Sequence, residues 1–398
     1  MLVIVAPGQG AQVPGFLSPW LELPGVPEQL AAWSELAGRD LARYGTTGSA
    51  DEIRDTATAQ PLLAAAAMTA AGALFGHIEE AWRLSGAVAG HSVGEFAAGA
   101  IAGVLSADDA LRLVRVRGEA MARAAAAERT GMTAILGGDE NSVLAAISAN
   151  GLTPANVNSP GQIVAAGTTA QLAALAADPP PGTRLRPLKV AGAFHTHHMA
   201  PAVDALRRAV KRVEVSDPRI TLLSNRDGAA VRTGAEWLEH VIAQVSLPVR
   251  WDACMRTLAG IGTGAIIELP PAGTLTGLAR RALPGADLLA LKTPGELDAA
   301  RSLVAAHAVN AAAHTPEWRL LVAPLAGTFR AEAGMTADHA TLNAQVNIGA
   351  ELGHVDARGS RHPVLAPWAG QVVEWLVEDA DPVHPGQPLA RLQPKTAE

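Results

Sequence analysis

The 398-residue chain is 49% hydrophobic and 17% charged, which excludes a disordered or collagen-like polypeptide and supplies apolar surface for a large core. Its 31 Lys and Arg stand against 38 Asp and Glu, and the net charge of -7 offers no global attraction to nucleic acid or an anionic membrane. Cys254 is the single cysteine, which rules out an internal disulfide and a cysteine-based zinc site and fits a reducing compartment.

Residues 2–6, LVIVA, form a continuous apolar run that ends in Pro7 and Gly8, as a buried parallel strand does on entering a loop. The N-terminal residues lack the basic region of a signal peptide, so a cytoplasmic location is expected. Residues 56–78 contain no Asp, Glu, Lys or Arg, but the run is dominated by alanine, which contributes little transfer energy. It is expected to be a buried core helix, and no membrane association is expected. A second apolar run, Gly86-Ala87-Val88-Ala89, leads into Gly90 and His91, and long Ala-rich helical segments such as 107–127 alternate with the strands. The expected class is α/β with a mainly parallel, hydrolase-like sheet.

From Met132 to Val190 the order becomes strand, helix, strand, strand, helix, strand, which is the ferredoxin-like arrangement inserted into the larger sheet. The main fold is expected over 1–131 and 191–307, and the insertion over 132–190. Residues 308–317, AVNAAAHTPE, read as a linker. From 318 to 398 short apolar segments are separated by Gly, Pro and Asp, which predicts a small all-β module.

The chemistry concentrates at Gly90-His91-Ser92-Val93-Gly94, a G-x-S-x-G sequence between an apolar strand and an Ala-rich helix. Such a turn exposes the serine hydroxyl, and the glycines leave room for the sharp bend. The helix N-terminus then favours negative charge developing on a carbonyl oxygen. Serine needs a base, and 193–199, AFHTHHM, places three histidines where the main fold resumes. Their spacing does not present metal ligands together and no carboxylate adjoins them, so no metal is expected. His197 and His198 read as surface residues at a helix start. Gly8-Gln9-Gly10 lacks the remaining glycine and lysine of a phosphate loop.

Five segments in register resemble malonyl-coenzyme A:acyl carrier protein transacylases over residues 1–307. They are PGQGAQ (7–12), GHSVGE (90–95), LVRVRGEAM (113–121), AFHTHHM (193–199) and QVSLPVRW (244–251). The resemblance implies Ser92 as acyl-accepting nucleophile and His195 as its base, with the main-chain carbonyl of Gln244 orienting the imidazole in place of an acidic third member. It implies an oxyanion hole from Gln9 and the Val93 N–H, and Arg117, rather than Arg115, as the partner of the malonyl carboxylate. A guanidinium fork suits that carboxylate better than an ammonium. Phe194 would narrow the pocket beside the malonyl C2, and His91 and Asn158 are further substrate-binding candidates. Asn158 reads equally as a turn residue before Pro160. The family's E-x-G-P-G stretch stands here as Glu268-Leu269-Pro270-Pro271-Ala272, a departure that leaves the role of that loop open.

The implied reaction moves malonyl from malonyl-CoA to the pantetheine thiol of acyl carrier protein, with no covalently bound cofactor. A serine hydrolase of the same fold, a transacylase serving malonate decarboxylation and an idle scaffold remain alternatives. Two basic clusters, Arg207, Arg208, Lys211 and Arg212, and Arg280 with Arg281, are candidates to steer an acidic carrier. Segments 322–334 and 363–394 resemble the halves of a biotinyl or lipoyl carrier domain. The hairpin between them reads Asp356-Ala357-Arg358-Gly359-Ser360, with Gly359 where the modified lysine belongs. Only four lysines exist, and the module's one, Lys395, lies in the tail. A carrier fold that carries nothing, with a docking or structural role, is the expectation.

Overall fold

The computed structural model describes residues 1–308, 319–331, 345–357, 359–367 and 369–394. The linker expected at 308–317 lies, beyond Ala308, outside the described residues, as do Arg358 and Lys395. The chain divides into two compact units, Met1–Val309 and Asn310–Glu398.

The first unit opens with β1 (Leu2–Ala6) and four helices, α1 (Val26–Ala37), α2 (Leu41–Thr47), α3 (Thr56–Phe75) and α4 (Ile78–Leu84). Then come β2 (Ala87–Gly90), α5 (Gly94–Ile101) and α6 (Ala107–Ala127). An inserted segment follows as β3 (Thr130–Gly137), α7 (Glu140–Ala149), β4 (Thr153–Ser159), β5 (Gln162–Thr168), α8 (Thr169–Ala177) and β6 (Thr183–Pro187). The chain returns through α9 (Ala200–Ala209), β7 (Thr221–Leu223), β8 (Ala230–Val231), α10 (Gly234–Gln244), β9 (Val249–Arg250) and α11 (Trp251–Gly260). It ends in β10 (Ala265–Glu268), α12 (Thr274–Ala282), β11 (Asp287–Ala290) and α13 (Leu297–His307).

The main sheet has the order β11-β10-β1-β2-β7-β8, and all pairs are parallel except β7 with β8. Its central strands are buried on both faces, so alternate residues feed different cores. Leu2, Ile4 and Ala6 join the larger cluster, whereas Val3 and Val5 pack with Trp251, Leu258 and Leu278 on the other side. This is the α/β fold expected from the continuous apolar strands.

Helix α3 is the one described helix long and apolar enough to span a membrane, yet it is largely buried inside the protein. Its N-terminus is capped by Asp55, whose carboxylate accepts the Thr58 N–H at 3.1 Å. It packs closely along α6 because Gly118 of α6 meets the α3 backbone: a Cβ there would stand 2.9 Å from the Thr56 carbonyl.

The inserted sheet has the order β6-β3-β5-β4, the ferredoxin-like sequence of strands, and gains β9 as a fifth strand parallel to β4. That pairing was not visible in the sequence, because β9 has only two residues and belongs to the main fold by position.

The second unit contains β12 (Arg319–Val322), β13 (Gly327–Ala331), β14 (Gln345–Val346), β15 (Glu351–Ala357), β16 (Ser360–Leu365), β17 (Gly370–Trp375), β18 (Pro382–Val383) and β19 (Pro388–Pro394). They form two four-stranded sheets, β12-β19-β17-β14 and β16-β15-β13-β18, around Phe329, Leu352, Val355, Val372 and Leu389. Ala357 pairs with Ser360 at the end of the β15–β16 hairpin, and Gly359 in its turn has φ +80°.

Candidate active site

Between β2 and α5 the chain reverses through His91, Ser92 and Val93. Ser92 has φ 54°, a left-handed conformation that costs a non-glycine residue free energy. The flanking glycines are obligatory here. A Cβ on Gly90 would lie 2.0 Å from the Gly94 carbonyl carbon, and one on Gly94 would lie 2.2 Å from the Ala6 oxygen.

The loop after β6 brings His195 to this turn from 103 residues away, with its Nε2 2.8 Å from Ser92 Oγ. Its Nδ1 lies 2.8 Å from the main-chain oxygen of Gln244 at the end of α10. A carbonyl only accepts, so Nδ1 carries the proton and Nε2 is free to accept from the serine hydroxyl. Burial, reinforced by the nearby Arg117 charge, pushes the His195 pKa down to about 3. The imidazole is therefore neutral at physiological pH.

Arg117 projects from α6 to the same point, with Nη2 3.3 Å from Ser92 Oγ and 3.0 Å from Gln244 Oε1. Its Nη1 donates to Gln60 Oε1 of α3 at 2.7 Å, and Nε has no hydrogen-bond partner among the described residues. The Phe96 ring centroid lies 5.9 Å from the guanidinium carbon. Burial lowers its pKa to about 10, partly offset by Glu95, so it stays charged. A buried cation whose bonded partners are all neutral is a costly arrangement without an anionic ligand. Arg115, the rival, instead pairs with Glu119 on the exposed side of α6 at 3.1 Å.

Beside these groups lies a cleft of about 220 Å³, lined among others by Gln9, His91, Ser92, Val93, Asn158 and Phe194. Gln9 donates one amide N–H to the Arg54 carbonyl at 2.9 Å. That anchor leaves its second N–H available. His91 Nε2 meets Asn158 Oδ1 at 2.9 Å, and burial lowers the His91 pKa. Asn158 lies within strand β4 rather than in a turn, which corrects the turn reading. Phe194, Met121 and Met132 are buried at the cleft, which Leu188 and Val190 also line from more exposed positions.

The first residue of the Glu268–Ala272 stretch, the one that keeps the family's identity, acquires a physical account. Its buried carboxylate accepts the N–H groups of Gly273, Thr274, Leu275 and Thr276 at 2.8–3.2 Å, capping α12. Thr274, Leu275 and Leu278 of that helix form one wall of the cleft.

Sequence reasoning missed a buried polar network beneath the turn. Glu95 accepts the Asn225 main-chain N–H at 2.8 Å and also the Gln244 amide, and burial raises its pKa to about 8. Gln60, Glu95, Asn225 and the Gln244 side chain carry no local signal; their partners lie 19 to 152 residues away. The neighbouring His197 is exposed, while His198 meets Glu128 at 2.9 Å, away from Ser92. The basic residues 207, 208, 211 and 212 are exposed on α9 and the turn after it, and Arg280 and Arg281 on α12.

The profile of the acyl transferase domain matches residues 46–315. The chain is 53% identical over 303 residues to the malonyl CoA-acyl carrier protein transacylase of Mycobacterium tuberculosis, spanning 75% of this chain and 98% of that protein. It is 33% identical over 311 residues to the Escherichia coli enzyme of the same name, with 75% and 98% covered. The crystal structure of the Mycobacterium tuberculosis protein superimposes with a TM-score of 0.72 at 51% identity, over 75% of this chain and 99% of that one. A malonyl-transacylase solved in complex with a type II polyketide synthase acyl-carrier protein matches with a TM-score of 0.67 at 29% identity, over 76% and 99%. With the turn, the histidine and the buried arginine in place, the chain belongs to the malonyl CoA-acyl carrier protein transacylase family.

Proposed function

We propose that the chain transfers a malonyl group from malonyl-CoA to the pantetheine thiol of an acyl carrier protein through a malonyl-Ser92 ester. The observation that carries this reading is Arg117: a buried guanidinium whose hydrogen-bond partners among the described residues are neutral, 3.3 Å from Ser92 Oγ. An acyl group ending in a carboxylate satisfies it at the distance at which the thioester carbonyl reaches Ser92.

In the first half-reaction Nε2 of His195 takes the hydroxyl proton as Oγ attacks the thioester carbonyl. The Val93 N–H and the free Gln9 amide hydrogen stabilise the oxyanion. Collapse expels the coenzyme A thiolate, which takes the proton from His195. In the second half-reaction the carrier thiol gives its proton to His195 and attacks the ester, and Ser92 recovers its proton as it leaves. Phe194 closes the pocket beside the malonyl C2, so a branched extender fits less well, by about 1–3 kcal/mol for one methyl group. His91 and Asn158, bonded to one another at the cleft, contact the substrate. The basic residues of α9 or α12 steer the acidic carrier.

Incubation with radiolabelled malonyl-CoA tests the reading. Label is expected on the wild type and not on Ser92→Ala, and it should be released by carrier protein but not by buffer. Release to buffer alone indicates a hydrolase, and absence of label indicates a scaffold.

The C-terminal unit is read as a carrier-type sandwich without an attachment residue. Two four-stranded sheets support this, with the β15–β16 hairpin at the edge of one of them and Gly359 in its turn. Glycine cannot form an amide with biotin or lipoate, which leaves a docking or structural role.

A further inference from the structure

We infer that Asn225 is a positioning residue that clamps the strained turn carrying Ser92. Asn225 is fully buried just beyond β7, and its amide spans the turn. Oδ1 accepts the Ser92 N–H at 2.7 Å, and Nδ2 donates to the Gly90 carbonyl at 2.7 Å. The two bonds fix the amide's orientation, because an N–H can only donate and a carbonyl can only accept. The peptide units on either side of His91 are thereby pinned by one side chain.

Asn225 is itself held from three directions. Its N–H donates to Glu95 Oε1 at 2.8 Å, its carbonyl accepts the Arg250 N–H at 2.8 Å, and Oδ1 also accepts from Gln244 Nε2 at 3.2 Å. A left-handed φ of 54° at Ser92 persists only where surrounding bonds over-determine it. Without the clamp the turn relaxes, and Oγ leaves its line with His195 Nε2. Arg117 is held by Gln60 Oε1, which Asn225 does not touch, and by Gln244 Oε1, whose amide has further partners in Glu95 and the Ser92 carbonyl besides Asn225. Asn225 therefore acts on the reactivity of Ser92 and not on recognition of the acyl carboxylate.

The inference rests on Ser92 being the nucleophile. Its test reads Ser92 reactivity with a neutral fluorophosphonate, and separately the dissociation constant of malonyl-CoA by calorimetry, both on the full chain. For Asn225→Ala the phosphonylation rate should fall about thirtyfold or more while the dissociation constant stays within about threefold. Asn225→Asp keeps an acceptor for the Ser92 N–H but sets an oxygen against the Gly90 carbonyl, so it should not restore the rate. If Asn225→Ala melts below the assay temperature, the isosteric Asp variant decides by the same two readouts. An unchanged rate, a rate and affinity that fall together, or failure of both variants to fold would overturn the inference. A wild type that reacts with the phosphonate but takes no malonyl label would instead contradict the proposed reaction and leave the clamp to be judged by its own rate.

Discussion

Arg117 Nη2 lies 3.3 Å from Ser92 Oγ, the same atom that His195 Nε2 meets at 2.8 Å. The hydroxyl is thus held between a neutral acceptor and a cationic donor, so its proton points to the base while a lone pair faces the cation. Charge recognition and nucleophile activation share one oxygen atom.

Replacing Arg117 by Ala should raise the KM for malonyl-CoA by about 10–100-fold, the equivalent of losing a charge-assisted hydrogen-bonded pair. Arg117→Lys should recover only part of this, because an ammonium cannot present the planar fork. Steady-state kinetics with malonyl-CoA and a neutral acyl-CoA separates the carboxylate effect from general damage; equal losses for both would argue against the assignment.

The pH dependence follows from His195. Its folded-state pKa of about 3 lies below the ordinary value of 6.5, so the neutral, accepting form dominates at all pH values above about 3. Single-turnover acylation should stay flat from about pH 5 to 8 and show no fall through 6.5. A group with a depressed basic pKa binds its proton more readily when unfolded. Its contribution to stability is therefore fully present above 6.5 and is lost as pH falls toward 3.

Glu95 has the opposite sign. Its carboxyl is raised from 4.5 to about 8 by burial, so the stability it contributes is fully present below 4.5 and is lost as pH rises through 8. Glu95→Gln removes that titration. Denaturant unfolding of the variant and the wild type at several pH values should show the difference moving in the variant's favour between pH 6 and 9.5, by any amount that exceeds error; a constant difference would contradict the raised value.

Gly94→Ala should be severe. The added Cβ meets backbone at 2.2 Å, with no flexible side chain to yield. A loss of about 3 kcal/mol or more, read as a lower Tm, is expected together with loss of malonylation.

A chain ending at Val309 should retain kcat/KM within about threefold, since that unit holds its own core and every proposed site residue. The full chain should give no band on a streptavidin blot. Either a dead fragment or a biotin signal would overturn the reading of the C-terminal unit as an unmodified accessory.

The apolar strands and the G-x-S-x-G turn were legible because both are local: burial on two faces demands an unbroken apolar run, and the bend demands glycine. His195 was legible as one of three neighbouring histidines, but Arg117 only through the resemblance, since nothing in a helical arginine distinguishes a pocket from a solvated face. Asn225 and Glu95 were not legible at all. Their bonds close between elements far apart in the chain, and the segment that holds Asn225, SNRDG, carries no motif that marks it. Strand β9 was invisible for a related reason: it is defined by its neighbour β4 and not by its own composition.

The seam between α3 and α6 has a consequence for recognition. Gly118 touches the backbone of Thr56 while its neighbour Arg117 bonds Gln60, one turn along the opposing helix. The depth to which the guanidinium reaches is therefore gauged by the distance between two helix axes. A methyl group at position 118, remote from any substrate atom, would push that gauge outward and withdraw the charge from the cleft.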